Sequence, residues 1–119
     1  MNPAPFITTP KLLTVAAVAE LATGLALLFT PGLVSSLLLG IAGTEVIDMF
    51  ARFFGLALVA LGIACWPRPV NTAAVRAMLV YNGLIALYLA YLGVAVSSGL
   101  LLWPAVVFHA VMSALLLRR

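Results

Sequence analysis

Four long apolar runs divide the chain, and they constrain its fold more than any other feature of the sequence. A helix needs about 20 residues to cross the ~30 Å hydrocarbon core of a bilayer, and each run is close to that length. The runs are residues 11–29, 45–66, 72–96 and 100–117. Between them lie turn and stop signals: TPG at 30–32, WPRP at 66–69 and SSG at 97–99. The pattern predicts an all-α integral membrane four-helix bundle, formed by residues 1–119 as one domain.

The composition supports a membrane protein without a soluble head. Hydrophobic residues make up 66% of the 119 residues and charged residues only 8%, against roughly a quarter charged in soluble proteins. The apolar content extends along the whole chain, so no segment remains for a separate catalytic domain. The net charge of +3 comes from a few residues that flank apolar runs, which favours orientation in a bilayer over nucleic-acid binding.

Between the first two runs lies a shorter apolar segment, PGLVSSLLLGIAG at 31–43. It is too short to cross a bilayer and carries two serines on one side. The segment predicts a short helix that lies in the membrane interface between the first and second spans.

The basic residues that flank the runs predict the orientation. They are Lys11, Arg68, Arg76, Arg118 and Arg119. All five fall at one end of the predicted bundle, and the other two connections carry no lysine or arginine. The positive-inside rule therefore predicts a multi-pass membrane protein with both termini and the connection between the second and third spans in the cytoplasm.

Five side chains of the predicted spans are out of place in hydrocarbon: Glu20, Asp48, Arg52, Asn82 and His109. Glu20 lies ~13 Å beyond Lys11, Asn82 ~9 Å beyond Arg76 and His109 ~13 Å before Arg118, at 1.5 Å per residue. The depths of Glu20, Asn82 and His109 are thus similar. Arg52 lies nearer the outer face, one turn from Asp48, and these two side chains can pair on one helix face.

A charge at the membrane centre costs at least ~2.5 to 3.5 kcal/mol, so Glu20, Arg52 and His109 are expected to face the interior. Two interpretations stay open for them: a structural polar network, or a ligand-binding or proton-binding site. For Asn82 a structural role between helices is favoured. For Glu20 the choice between these interpretations depends on whether its carboxylate has a partner. A partnered carboxylate stays ionised, whereas an unpartnered one becomes neutral and can carry protons.

Two helix faces combine these polar residues with small ones. Ala16, Glu20 and Gly24 share a face of the first span; Ala105, His109 and Ser113 share a face of the fourth. Small residues let helix backbones approach in a bilayer, where no hydrophobic drive brings helices together. The two faces are therefore expected to meet inside the bundle.

Aromatic residues suggest a cavity. Tyr81, Tyr88 and Tyr91 fall on one face of the third span, and Trp103 begins the fourth at the outer boundary. A tyrosine stripe is more often packing than a pocket, although together with Arg52 these side chains would suit a ring-bearing lipid such as a quinone.

The sequence offers no metal or catalytic motif. His109 is the only histidine and Cys65 the only cysteine, so a metal site within one chain is not expected, and a haem shared between subunits is the remaining way to use His109 as a ligand. Catalytic triads, paired carboxylates and phosphate-binding loops are lacking. We therefore expect a protein that is not an enzyme.

Four stretches resemble the small bacterial membrane proteins of DoxX-like type. They are AELATGLALLFTPGLVSSLLLG, ARFFGLALVALGIACWPRP, MLVYNGLIALYLAYLG and LLWPAVVFHAVMSALLLRR. The resemblance covers nearly the whole chain. It implies a four-helix inner-membrane bundle that serves as an accessory subunit of a membrane complex, in some cases a redox complex, and it assigns no catalytic residue.

The stretch AELATG also looks similar to the first span of small multidrug resistance transporters, which have about this length. That resemblance implies that Glu20 exchanges protons against cationic drugs. The chain departs from the pattern in its one-sided flanking charges and in Arg52, which would repel a cation.

Two functional hypotheses result. The first is a non-enzymatic accessory subunit, with a membrane protein partner or a second copy of the chain, or a lipid or quinone binder. Its internal polar residues are expected to be Glu20, Arg52, Asn82 and His109. The alternative is a proton-coupled transporter of small molecules that uses Glu20.

Overall fold

Five α-helices form the part of the chain that the structure, a computed structural model, describes, residues 7–118. They are α1 (Thr9–Phe29), α2 (Pro31–Leu39), α3 (Glu45–Ala64), α4 (Thr72–Ala95) and α5 (Leu102–Leu117). The prediction of an all-α protein is confirmed for these residues, which contain no strand. Most of the proline-rich N-terminal arm lies outside the described residues.

Local chemistry explains where the helices begin and end. Pro10 lies in the first turn of α1, where its missing N–H is no loss. The side chains of Thr44 and Asn71 cap α3 and α4 by accepting hydrogen bonds from backbone amides. At the end of α2, Gly40 has a φ of 66°, the left-handed conformation that glycine adopts without strain. The ends of α1, α3, α4 and α5 differ by two residues or fewer from those expected from the sequence, and α2 ends four residues before the end of the apolar segment 31–43.

Three helices, α1, α3 and α4, are long and apolar enough to cross a membrane. Helix α5 is apolar but shorter, with 16 residues. Large hydrophobic side chains such as Phe29, Phe50, Leu87 and Val94 are exposed on the surface of the bundle. An exposed apolar surface of this kind is suited to contact with lipid chains.

The helices pack as two antiparallel pairs, α1 with α3 and α4 with α5. Glycines set the first contact: a Cβ atom on Gly24 would lie 2.7 Å from the carbonyl oxygen of Gly55, and one on Gly55 would lie 2.7 Å from that of Gly24. In the second pair, the Ser113 hydroxyl donates to the Leu79 carbonyl at 3.4 Å. The small residues on the two faces that were predicted to meet thus pack against other helices: Gly24 contacts α3, and Ser113 contacts α4.

One end of the bundle contains a core shared by both pairs. The buried hydrophobic residues that form it come from α1, α4 and α5 and from the end of α3: Leu12, Leu13, Ala16, Ala17, Cys65, Ala74, Met78, Met112 and Leu116. This core lies at the end where α1 begins and α5 ends. It holds the two pairs together at that end.

At the other end, α2 links the two pairs through backbone hydrogen bonds. The Leu37 carbonyl accepts from the amide of Leu101 at 2.8 Å, and the Leu38 carbonyl accepts from Gly99 at 2.9 Å. The Ser97 hydroxyl donates to the last carbonyl of the helix. These carbonyls have no partner within α2, so the α4–α5 connection satisfies groups that would be costly to leave unpaired in an apolar environment.

Candidate functional site

Glu20 lies inside the bundle, on the face of α1 that is turned toward α4. The residue is 1% exposed, and the Tyr81 hydroxyl of α4 donates a hydrogen bond to its carboxylate. Oε1 of this carboxylate has no hydrogen-bond partner among residues 7–118. The buried carboxylate is therefore only partly satisfied.

Asn82 joins α4 to α5. It is fully buried, at 0% exposure, and its Nδ2 donates to the Met78 carbonyl at 2.8 Å. Its Oδ1 lies 2.7 Å from Nδ1 of His109. The amide thus connects one turn of its own helix with the imidazole of the neighbouring helix, the interhelical role that the sequence favoured for it.

The His109 ring lies beside two aromatic rings. It meets Tyr81 edge-to-face, with ring centroids 5.9 Å apart and an angle of 89°, and Phe108 at 5.3 Å and 78°. Tyr81 consequently contacts both Glu20 and His109. We call Glu20, Tyr81, Asn82 and His109 the polar cluster.

A cavity of about 500 Å³ lies between the two helix pairs, on the α2 side of the polar cluster. We call it the inter-pair cavity. All five helices contribute to its wall, which is mostly apolar and includes Ala22, Ala26, Leu37, Phe54, Ile85 and Ala105. Three polar side chains, Thr23, Tyr81 and His109, also line it. Two members of the polar cluster are therefore part of the cavity wall.

Arg52 lies apart from the polar cluster, although from the sequence it was grouped with the other three predicted polar residues. Its side chain is exposed, and its Nε donates to the Leu28 carbonyl at 3.2 Å. That carbonyl is in the last turn of α1, where carbonyls lack helical partners and attract a cation. The predicted pairing with Asp48 is not formed either, since Asp48 Oδ1 has no hydrogen-bond partner in the described part of the chain.

Of the four aromatic residues proposed to line a cavity, Tyr81 lies in the wall of the inter-pair cavity and the others do not. Tyr88 and Tyr91 stack on each other with centroids 6.2 Å apart, and they are 57% and 59% exposed. Trp103 is also exposed, and its ring packs against Gly93. The residues of α4 that line the cavity after Tyr81 are Ile85 and Leu89, which follow it at four-residue spacing. Tyr88 and Tyr91 are not part of this row.

Sequence reasoning treated Tyr81 only as a possible wall residue and missed its hydrogen bond with Glu20. Tyr81 precedes Asn82 directly, but neighbours in a helix point about 100° apart. Only the position of α1 relative to α4 reveals the contact. The described residues include no group of three or more histidine, cysteine, aspartate or glutamate side chains that could hold a metal ion.

Comparison of the chain with models of protein families, with curated proteins and with solved structures gave no match. The resemblances to DoxX-like proteins and to small multidrug resistance transporters stay predictions.

Proposed function

We propose that this chain is a non-enzymatic, four-span protein of the bacterial inner membrane that binds a lipid or another lipophilic molecule with a polar ring in the inter-pair cavity. The observation that carries the proposal is the composition of the cavity wall. It is apolar along most of its surface and polar at one end, where Tyr81 and His109 lie. Binding sites for small lipophilic molecules combine an apolar wall with a few polar groups that fix orientation.

The size of the cavity fits such a ligand. About 500 Å³ lies within the range of roughly 300 to 1,000 Å³ that is typical of small-molecule sites. Several wall residues, among them Phe54 and Leu101, are exposed, which fits entry of a ligand from the lipid phase. A ring-bearing lipid such as a quinone would place its ring near the polar cluster and its chain along the apolar wall.

The four-span topology rests on α5 in addition to the three longer helices. Its 16 residues extend about 24 Å at 1.5 Å per residue, and α5 packs antiparallel along α4. The one-sided lysines and arginines favour cytoplasmic termini. Reporter fusions test this: the C-terminus should report a cytoplasmic location and Gly43 and Ser98 an external one, and an external C-terminus would refute the topology.

Co-purification tests the ligand. The protein is purified in mild detergent, and bound lipids and quinones are identified by mass spectrometry. Ala105→Phe fills the cavity from α5, and Val107→Phe adds the same ring to an exposed position on that helix. A lipid retained by wild type and Val107→Phe but lost from Ala105→Phe supports the proposal. Equal retention by all three forms refutes it. A stoichiometric membrane protein in the same preparation would instead favour an accessory subunit.

The alternative function, proton-coupled transport, is favoured by one observation. Oε1 of Glu20 is buried and has no hydrogen-bond partner within the described residues, and a carboxylate in that state is suited to take up a proton. A transporter should release protons when a lipophilic cation such as tetraphenylphosphonium is added to the purified protein. Glu20→Gln should abolish that release, and absence of release from wild type would exclude this alternative.

A further inference from the structure

We propose that the inter-pair cavity selects ligands that carry a hydrogen-bond donor, of the phenol or alcohol class, because His109 presents an acceptor to it. The inference rests on the proposed function and adds the chemical class of the ligand. It depends on the orientation of two side chains, Asn82 and His109.

The hydrogen bond with Met78 fixes the Asn82 amide. A carbonyl oxygen accepts hydrogen bonds and cannot donate them, so the amide atom 2.8 Å from the Met78 carbonyl must be the NH₂ group. Oδ1 of Asn82 therefore points toward His109. With the opposite orientation two oxygens would face each other inside the bundle, at the cost of a buried, unpaired polar group.

The amide orientation in turn fixes the imidazole tautomer. Oδ1 of Asn82 is an acceptor, so the His109 atom that lies 2.7 Å from it must be a nitrogen that carries hydrogen, Nδ1. In a neutral imidazole only one ring nitrogen carries hydrogen. Nε2 of His109 is therefore a lone-pair acceptor.

Nothing else in residues 7–118 uses this acceptor. The hydrogen bond of His109 is the one from Nδ1, and the residue lines the cavity. The Tyr81 hydroxyl is already engaged with Glu20. Thr23, the remaining polar side chain of the wall, can either donate or accept and so does not discriminate.

The free acceptor determines which ligands fit. A phenol or alcohol hydroxyl donates to Nε2. A ketone, ester or ether oxygen has no hydrogen to donate, so its lone pair would face the lone pair of Nε2. Both groups would then lack a hydrogen bond in an apolar cavity. No charged side chain lines the cavity among the described residues, so an ionised head group is not compensated there. A reduced, hydroxyl-bearing ring is thus preferred over its oxidised carbonyl form.

The test uses two probes that differ in one hydrogen-bond donor, 4-hexylphenol and its methyl ether, 4-hexylanisole. Their affinities for the purified protein are measured by equilibrium dialysis at equal detergent concentration, at a pH at which imidazole is neutral. The phenol should bind about 3- to 10-fold more tightly than the ether, the effect of one hydrogen bond to a neutral acceptor. His109→Asn retains a donor near the Nδ1 position and lacks the Nε2 acceptor, so this variant should bind both probes equally.

Nuclear magnetic resonance of the single histidine checks the tautomer independently. In protein labelled with ¹⁵N-histidine, the imidazole should show hydrogen on Nδ1 and none on Nε2, and the Nε2 signal should move when the phenol is added and stay when the ether is added. Hydrogen on Nε2, or equal affinity of wild type for the two probes, would overturn the inference but leave the cavity as a lipid site. If neither probe bound more tightly to wild type than to Ala105→Phe, the proposed function would be overturned as well.

Discussion

The contact between Gly24 and Gly55 predicts that the methyl group of alanine at position 24 will separate α1 from α3. The added Cβ would lie 2.7 Å from the Gly55 carbonyl oxygen, 2.8 Å from Cγ2 of Val59 and 3.0 Å from its backbone nitrogen. Two of these three atoms belong to the backbone of α3 and cannot rotate away. Relief requires a shift of the whole helix, by about 0.7 Å if the closest contact is to reach the 3.4 Å of ordinary van der Waals contact.

The expected loss of stability follows from that shift. A gap of 0.5 to 1 Å already removes about a quarter to a half of the dispersion energy of each affected contact, and overpacking typically costs about 1 to 3 kcal/mol. Alanine regains about 0.5 to 1 kcal/mol relative to glycine within a helix. The free energy of unfolding of Gly24→Ala should therefore be about 1 to 2 kcal/mol lower than that of wild type. Within lipid the hydrophobic effect does not hold helices together, so the lost packing contacts are not compensated.

Thermal unfolding in a mild detergent measures this effect. Gly32→Ala is the matched control, since a Cβ atom there would meet nothing within 4 Å. We expect Gly24→Ala to unfold several degrees below wild type and Gly32→Ala at or above wild type. Gly24→Ala combined with Gly55→Ala should cost less than the two single losses added together, because one shift relieves both contacts. If Gly24→Ala were as stable as Gly32→Ala, the close packing of α1 on α3 would be refuted.

Three further predictions concern the polar cluster and α2. Glu20→Gln should unfold close to wild type and Glu20→Leu clearly below it, because glutamine retains a partner for Tyr81; equal melting of the Leu variant and wild type would mean that the carboxylate has no buried partner. Asn82→Leu should cost about 1 to 3 kcal/mol, since it leaves the Nδ1 hydrogen of His109 unpaired; unchanged stability in a denaturation assay would contradict the link between α4 and α5. Gly99→Ala should release α2, because its Cβ would lie 2.6 Å from a carbonyl oxygen of that helix; faster hydrogen exchange of the amides at 97–101 checks this, and unchanged exchange would exclude it.

The helices themselves were predictable because their signals are local. Apolar length and the breaks at TPG, WPRP and SSG depend only on neighbouring residues. Helix α2 starts at the first of these signals, and α3 and α4 end within two residues of the second and third. The burial of Glu20 was predictable for the same reason, since Ala16 and Gly24 on its face are suited to a neighbouring helix and cannot shield a carboxylate from lipid.

Partner choice was not predictable, because it depends on how the helices pair. Helical spacing places Gly24 on a close-packing face but does not identify Gly55 as the opposite residue. Arg52 illustrates the same point: its depth suggested the polar cluster, while the nearest unpaired acceptor turned out to be the Leu28 carbonyl at the end of α1. A long, flexible arginine reaches whichever acceptor the packing brings close, and sequence depth alone does not supply that information.

The inter-pair cavity persists because the two ends of the bundle are built differently. At one end, long side chains such as Leu13, Met78 and Leu116 fill the space between the pairs. At the other end, small residues such as Ala22 and Ala105 leave space, and the hydrogen bonds of α2 to the α4–α5 connection restrict how far that end can close. In water an apolar cavity of this size would favour collapse, whereas in a bilayer lipid chains are as apolar as the wall, and no hydrophobic force closes it. If the cavity is open to lipid, it will hold an apolar molecule of some kind, so its selectivity must come from the few polar groups in the wall. Among these groups, His109 is the one whose tautomer is fixed by a hydrogen bond to a residue outside the wall, Asn82.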